Sequence, residues 1–317
     1  MTGGAGFIGS NLADRLVSDG HEVVVYDNFS TGQRRFVESL VASPRASVID
    51  GDVLDGDALR AAMEGCDTVF HMAANADVRH GLEDPSRDLH QNTIATFTVL
   101  EAMRAAGATR ILFASSGSVY GEPDMAPTPE DCPFPVQTSL YGASKLAGES
   151  LVQAYCEGYG FTGVVLRFVS VLGERYTHGH LFDFTRALRD DPTALTVLGD
   201  GKQRKSYLYV GDCVRAVVML ANRADGPGVA AFNLGTDEVS DVDTSVRAVC
   251  RHLGLEPRIE HTGGPRGWIG DSPLIHLDCS RLRALGWQPE LTIAEAVERT
   301  LDWLDANEWV FESRSAA

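Results

Sequence analysis

Apolar runs of strand length alternate with helix-length stretches through the first two thirds of the chain. Residues 23–26 (Val-Val-Val-Tyr), 68–70, 110–113 and 164–166 are short and continuously apolar or nearly so. Such runs suit strands buried on both faces of a parallel sheet. Residues 12–18 and 93–106, lying between them, read as helices. A strand followed by a helix, repeated, builds right-handed crossover units and a doubly wound α/β sheet. From about Gly173 the pattern loosens into loops rich in Gly, Asp and Pro. Residues 206–221 and 231–234 regain helix and strand character and are expected to return to the first lobe. Residues 293–304 have the period of an amphipathic helix. The expected division is one domain over 1–172 and a smaller, mainly separate α/β lobe over 173–317.

Composition narrows the function classes. With 317 residues, 44% hydrophobic and 8% aromatic, the chain suits two packed lobes rather than a disordered polymer. A net charge of −17 repels a phosphate backbone and an anionic membrane surface, which argues against both partners. No apolar run reaches membrane-spanning length, and no signal peptide precedes the first motif. The six cysteines show no C-x-x-C spacing, which fits reduced thiols and a cytoplasmic protein. His178-x-His180 has no further ligand pattern around it, so no metal is expected.

The segment Thr2-Gly3-Gly4-Ala5-Gly6-Phe7-Ile8-Gly9 places glycines at 3, 6 and 9. Gly3 permits a tight turn, Gly6 a close backbone approach to a pyrophosphate, and Gly9 close packing of helix on sheet. The helix opening near Phe7 directs its N–H groups and positive end at the phosphates. Asp27 follows 18 residues after Gly9, at the end of the next strand, where a ribose 2′-hydroxyl is held. A carboxylate there repels a 2′-phosphate, which favours NAD over NADP. One feature departs from the fingerprint: only Met1 and Thr2 precede Gly3, where a strand belongs. The centre of the sheet is therefore expected to be an empty slot or to be filled in another way. A chain beginning at Met1 is expected to be less stable and to hold NAD poorly.

Tyr141 and Lys145 are four residues apart, which on a helix puts both on one face. A tyrosine needs a lowered pKa to act as a base near neutrality. A nearby ammonium and a positive nicotinamide ring favour its phenolate, so the Tyr141 pKa is expected to fall. Ser115-Ser116-Gly117-Ser118 follows the strand at 110–113, at the carboxyl edge where ligands lie in such sheets. A serine hydroxyl there can bond a reacting sugar hydroxyl and share its proton with Tyr141.

With these motifs in order, the chain resembles the extended short-chain dehydrogenase/reductase family and its UDP-glucose 4-epimerase group. The resemblance runs through Tyr26-Asp27-Asn28, His71-Met72-Ala73-Ala74, Tyr141, Lys145, Gly199-Asp200-Gly201, Tyr209-Val210 and Leu285-Gly286-Trp287-Gln288-Pro289. It implies a Rossmann domain with a smaller substrate-binding lobe, a tightly held NAD, and a homodimer formed through two helices of the NAD lobe. It implies NAD contacts at Phe7, Ile8, Asp27, Asn28, Ser30, Thr31, Gly32, Asp52, Val53, Ala73, Ala74, Asn92, Ser115 and Phe168, beside Tyr141 and Lys145. The implied chemistry is removal of the 4-hydroxyl proton by Tyr141 with Ser116 as partner. Hydride passes from C4 to NAD, the 4-keto sugar turns over, and hydride returns to its other face. Similar 4,6-dehydratases carry Asp-Glu where this chain has Gly117-Ser118, and similar decarboxylases carry a glutamate at the second position. Lacking both carboxylates, the chain is read as an epimerase, with a related dehydratase or reductase as the alternative; Tyr141, Lys145 and Ser116 together count against a non-catalytic NAD sensor.

The substrate half departs from the group's usual pattern. Ser170 stands where an asparagine usually binds diphosphate, and Lys205 replaces an arginine. A lysine neutralises phosphate without the bidentate fork. Arg266 and Asp271 fit positions for the diphosphate and the nucleotide ribose, with UDP expected as the nucleotide ahead of dTDP, CDP or GDP. Arg175 and His178 lie in a loop expected to border the sugar, where they could accept a C6 carboxylate. The expected substrates are UDP-glucose/UDP-galactose or UDP-glucuronate/UDP-galacturonate, contacted by Ser116, Gly117, Ser118, Tyr141, Ser170, Arg175, His178, Lys205, Arg266 and Asp271. For Arg175 a surface ion pair is the competing reading.

Overall fold

The computed structural model describes residues 1–78, 80–133, 136–223 and 226–313. Its main sheet is parallel, with strands β1 (Val23–Asp27), β2 (Ala46–Asp50), β3 (Thr68–His71), β4 (Arg110–Ser116), β5 (Thr162–Phe168) and β6 (Gly228–Leu234). β1 pairs with β2 on one side, and β3, β4, β5 and β6 follow one another on the other. Between β1 and β3 lies the slot expected to be empty or filled in another way. Thr2 fills part of it, bridging in parallel to both Tyr26 and His71. Thr2 donates its N–H to the Phe70 carbonyl at 3.0 Å, and Tyr26 donates to the Met1 carbonyl at 2.8 Å. Two residues thus join the halves of the sheet and lead straight into the glycine turn.

The sheet is covered on both faces because its strands alternate. Leu112, Val164 and Leu166 face a cluster with Leu12 and Leu16 of α1 (Phe7–Ser18) and Val214 and Val217 of the helix Val210–Ala221. Ile111, Phe113 and Val165 face the opposite cluster. That cluster holds Val99, Leu100 and Met103 of α2 (Ala95–Ala106) and Val152 and Cys156 of α3 (Leu140–Tyr159). A third core joins Leu181, Phe182, Tyr207, Val246, Val249, Leu301 and Leu304 in the smaller lobe. There, Arg204–Lys205 pairs with Ser240–Asp241 and with Leu274–Ile275. Ser170–Leu172 pairs with Tyr207–Tyr209, so the chain leaves β5 directly into this lobe.

Several boundaries differ from the pattern reading, each for a physical reason. β2 alternates half-buried and exposed residues and so lacks an apolar run. α1 begins at Phe7, as the glycine motif implied, although the apolar periodicity alone marks only 12–18. α2 begins at Ala95, preceded by a widened π turn over Leu89–Ile94. Among the described residues no helix is long and apolar enough to cross a membrane.

Candidate active site

All six strands point their carboxyl ends at one edge, and the chemistry predicted from sequence gathers there. At the glycine turn the backbone is packed beyond what a side chain would allow. Gly3 has φ +67°, and a Cβ there would lie 2.5 Å from the Ala73 nitrogen; a Cβ on Gly9 would lie 2.1 Å from the Gly3 carbonyl oxygen. Gly6 is different, since only the Gly3 oxygen, at 3.3 Å, comes near its Cβ position. Gly6 is also the N-cap of α1, with no side-chain cap and no acid in the first turn. The helix end therefore keeps its positive character toward that open side. Asp27 is buried and accepts from Ala5 N at 2.9 Å and Phe29 N at 2.8 Å. Each oxygen retains a lone pair for a hydroxyl. Asn28 donates to Asp52 at 3.1 Å and accepts from the Ser30 N–H and hydroxyl. Thr31 is exposed, whereas Gly32 packs where a Cβ would lie 2.8 Å from Asp27 Oδ1. Ala73 and Ala74 follow β3, half-buried, Val53 packs against the second core, and Phe168 ends β5. The bare glycine cradle, the uncapped helix end and the acid beside them fit a dinucleotide.

Tyr141 and Lys145 lie in the first two turns of α3, whose N-cap Ser139 accepts from Gly142 N. The Lys145 ammonium donates to the Ala114 carbonyl at 2.9 Å and lies 6.0 Å from the centre of the Tyr141 ring. Ser116, at the end of β4, accepts from Ser118 N at 3.1 Å and lies near enough to the Tyr141 phenol to lower its pKa, so the three predicted side chains gather at one strand end. The Tyr141 pKa differs from expectation. Burial pushes it up to about 12, Ser116 opposes this, and the Asp88 carboxylate adds to the rise. Burial also lowers the Lys145 pKa to about 8, with Asp88 and Glu149 holding it up. Burial thus outweighs every group that favours the phenolate, and the ammonium is bonded to the Ala114 carbonyl.

The smaller lobe brings some of the predicted substrate residues together and commits others elsewhere. Lys205 donates to Asp271 at 2.7 Å and lies 5.0 Å from the Trp268 ring centre. Arg266 donates to the Asp271 carbonyl at 3.4 Å and pairs with Glu122. Ser170 is exposed at the start of its strand, and Gly117 is buried against Leu277 and Ile275. Arg175 pairs with Asp14 of α1 at 2.5 Å and covers the Phe36 ring, which is the ion-pair reading rather than the sugar-contact one. His178 stacks on Tyr176, whose ring meets Phe7 edge-on. Among the described residues no group of three or more His, Cys, Asp and Glu could hold a metal ion.

Residues 1–235 match the model of the NAD dependent epimerase/dehydratase family. The chain belongs to that family. It is 36% identical over 316 residues to the UDP-glucose 4-epimerase of Mycolicibacterium smegmatis, covering 96% of this chain and 97% of that protein. The crystal structure of a UDP-galactose 4-epimerase superposes with a TM-score of 0.86 at 39% identity, over 97% and 98% of the two chains. The UDP-glucuronic acid 4-epimerase of Bacillus cereus, solved with UDP-glucuronic acid and NAD, gives 0.88 at 26% identity, over 96% and 98%.

This epimerase/dehydratase-family chain also holds polar residues at the site that sequence reasoning missed. Glu149, one turn beyond Lys145, accepts from the Ser115 hydroxyl and from Arg167 at 3.0 and 2.7 Å. Its signal was the i, i+4 spacing from Lys145 on the same helix face. Asp88 stands four residues before Asn92 in the same way. The partners of both come from distant strands and loops, which no local pattern reveals.

Proposed function

We propose that the chain is an NAD-dependent UDP-sugar 4-epimerase acting through a transient 4-keto sugar. The observation that carries this reading is the meeting of Tyr141, Ser116 and Lys145 at a strand end where residues 117 and 118 are Gly and Ser. Eliminating a hydroxyl requires an acid to protonate it, and neither of those two residues is one. Epimerisation requires only a group that takes and returns the 4-hydroxyl proton.

NAD, when bound, supplies a two-electron acceptor for C4 and a positive ring. Gly6, Phe7 and Ile8 would hold its pyrophosphate on the turn that Gly3 and Gly9 make possible, and Asp27 its adenosine ribose. Ser116 orients the sugar hydroxyl and shares its proton with Tyr141. Tyr141 takes that proton as C4 is oxidised and returns it when C4 is reduced from the other face. Lys145 stabilises the phenolate, and added positive charge near the ring works in the same direction, against burial. Lys205, Arg266 and Asp271 form the nucleotide side of the site. Their present pairing with one another and with Glu122 opens to admit a diphosphate.

The neutral gluco/galacto pair fits better than the hexuronate pair, because Arg175 is already neutralised by Asp14. The test is incubation with a panel of UDP-sugars and NMR of the products, alongside Tyr141→Phe. Interconversion of C4 epimers by the parent chain, lost in the variant while NAD binding is kept, supports the reading. A product that has lost water or carbon dioxide refutes it.

A further inference from the structure

The carboxylate of Asp88 is 1% exposed, yet the mechanism above gives it no task. It sits at the end of the turn Pro85–Asp88, just before the widened π turn that leads into α2. Its Oδ1 accepts from Asn75 Nδ2 at 2.8 Å and Asn92 Nδ2 at 3.2 Å. Asn92 also donates to Ser144 Oγ at 2.9 Å and accepts from Asn75 N, and Ser144 donates to the Tyr141 carbonyl. One carboxylate thus ties the loop after β3, the π turn and the first turn of α3 together. Its second oxygen, Oδ2, has no hydrogen-bond partner among the described residues.

The other buried acid near Lys145 is spoken for. Glu149 is held by both arms of the Arg167 guanidinium, so its charge is balanced within that pair. Among the described residues the charge of Asp88 has no such direct partner: Arg87, its neighbour, lies toward Asp84 at 3.9 Å. We infer that Asp88 is a positioning residue for the Tyr141–Lys145 pair, anchoring α3 through Asn92 and giving the buried ammonium its counter-charge. The inference rests on the reading of Tyr141 as the proton carrier.

Among the described residues, the charged and titratable groups around the pair are few. Lys145 faces Asp88, Glu149 and His71, and burial with the Lys145 charge holds His71 neutral. Tyr141 faces Asp88 and Ser116, and Asp88 in turn faces Lys145, Arg87 and Asp77. A negative charge raises the pKa of both a phenol and an ammonium. Removing it therefore lowers both. The limb on which Tyr141 ionises and the limb on which Lys145 loses its proton should move to lower pH together.

The test uses the NAD-loaded chain, Asp88→Asn, Asp88→Glu, and Tyr141→Phe as the spectroscopic blank. The phenolate of Tyr141 is titrated by its near-ultraviolet absorption, and turnover is followed against pH. In Asp88→Asn the phenolate midpoint should fall by roughly half a pH unit or more, with both limbs of the turnover profile moving the same way. Asp88→Glu keeps the charge, so its midpoint should stay near the parent's even if turnover drops. An Asp88→Asn midpoint equal to the parent's, with turnover merely lower at every pH, would overturn the inference and leave a structural role. If Asp88→Asn does not fold, Lys145→Met tests the pair from the other side. Without the ammonium, Asp88 should take up its proton at higher pH than in the parent, read from the pH at which its carboxylic-acid band appears in infrared difference spectra; a carboxylate that titrates as in the parent overturns the inference. A parent chain that turns over no UDP-sugar would refute the proposed function, while the phenolate titration would still decide the role of Asp88.

Discussion

At the scale of single residues, chemistry and stability separate cleanly. Tyr141→Phe removes the proton carrier without enlarging the side chain. Turnover should fall by roughly 10²–10⁴-fold, with NAD affinity little changed by calorimetry. Lys145, with its pKa lowered to about 8, carries its charge below that pH and loses it above. Turnover should therefore decline as pH rises through this value, and a profile still climbing well beyond it would contradict the assignment. Glu149→Gln leaves the Arg167 guanidinium buried without its counter-charge. Breaking such a pair costs about 3–5 kcal/mol, measurable by chemical denaturation. The Tyr141–Lys145 pair was legible because both residues lie on one stretch of helix. The direction of the Tyr141 shift was not, since it depends on burial and on Asp88, which is distant in sequence. Arg175 was equally opaque, its partner Asp14 lying 161 positions away.

At the scale of elements, the glycine turn offers a sharp contrast between fold and ligand. Gly9→Ala places a methyl group 2.1 Å from the Gly3 oxygen, a backbone atom that cannot step aside. That variant should lose stability and NAD together. Gly6→Ala meets only one atom, at 3.3 Å, and points its methyl to the open side. It should melt close to the parent but bind NAD at least about tenfold more weakly, since a methyl excludes the close approach of a pyrophosphate. Parallel melting and binding losses in both variants would refute this division. β1, β3, β4 and β5 were visible as apolar runs because both sheet faces are covered. β2, a half-exposed edge strand, and the π turn before α2 gave no such signal.

At the scale of the whole molecule, the proposed site draws its nucleotide side from the second lobe, and its edges were the least legible part. The Lys205–Asp271 and Arg266–Glu122 pairs join segments far apart in sequence, so single residues could be nominated but not their pairing. Asp271→Asn should weaken UDP binding while leaving NAD affinity intact, as titration calorimetry with each ligand separately will show.

The central claim is that hydrogen leaves C4 of a UDP-sugar and returns to it without exchanging with water. It is tested most directly by incubating the chain with UDP-glucose in D₂O, without added NAD, and reading the product by NMR. The account predicts UDP-galactose of unchanged mass, with no deuterium at C4. Deuterium at C4, or a product lighter by a molecule of water, would contradict it.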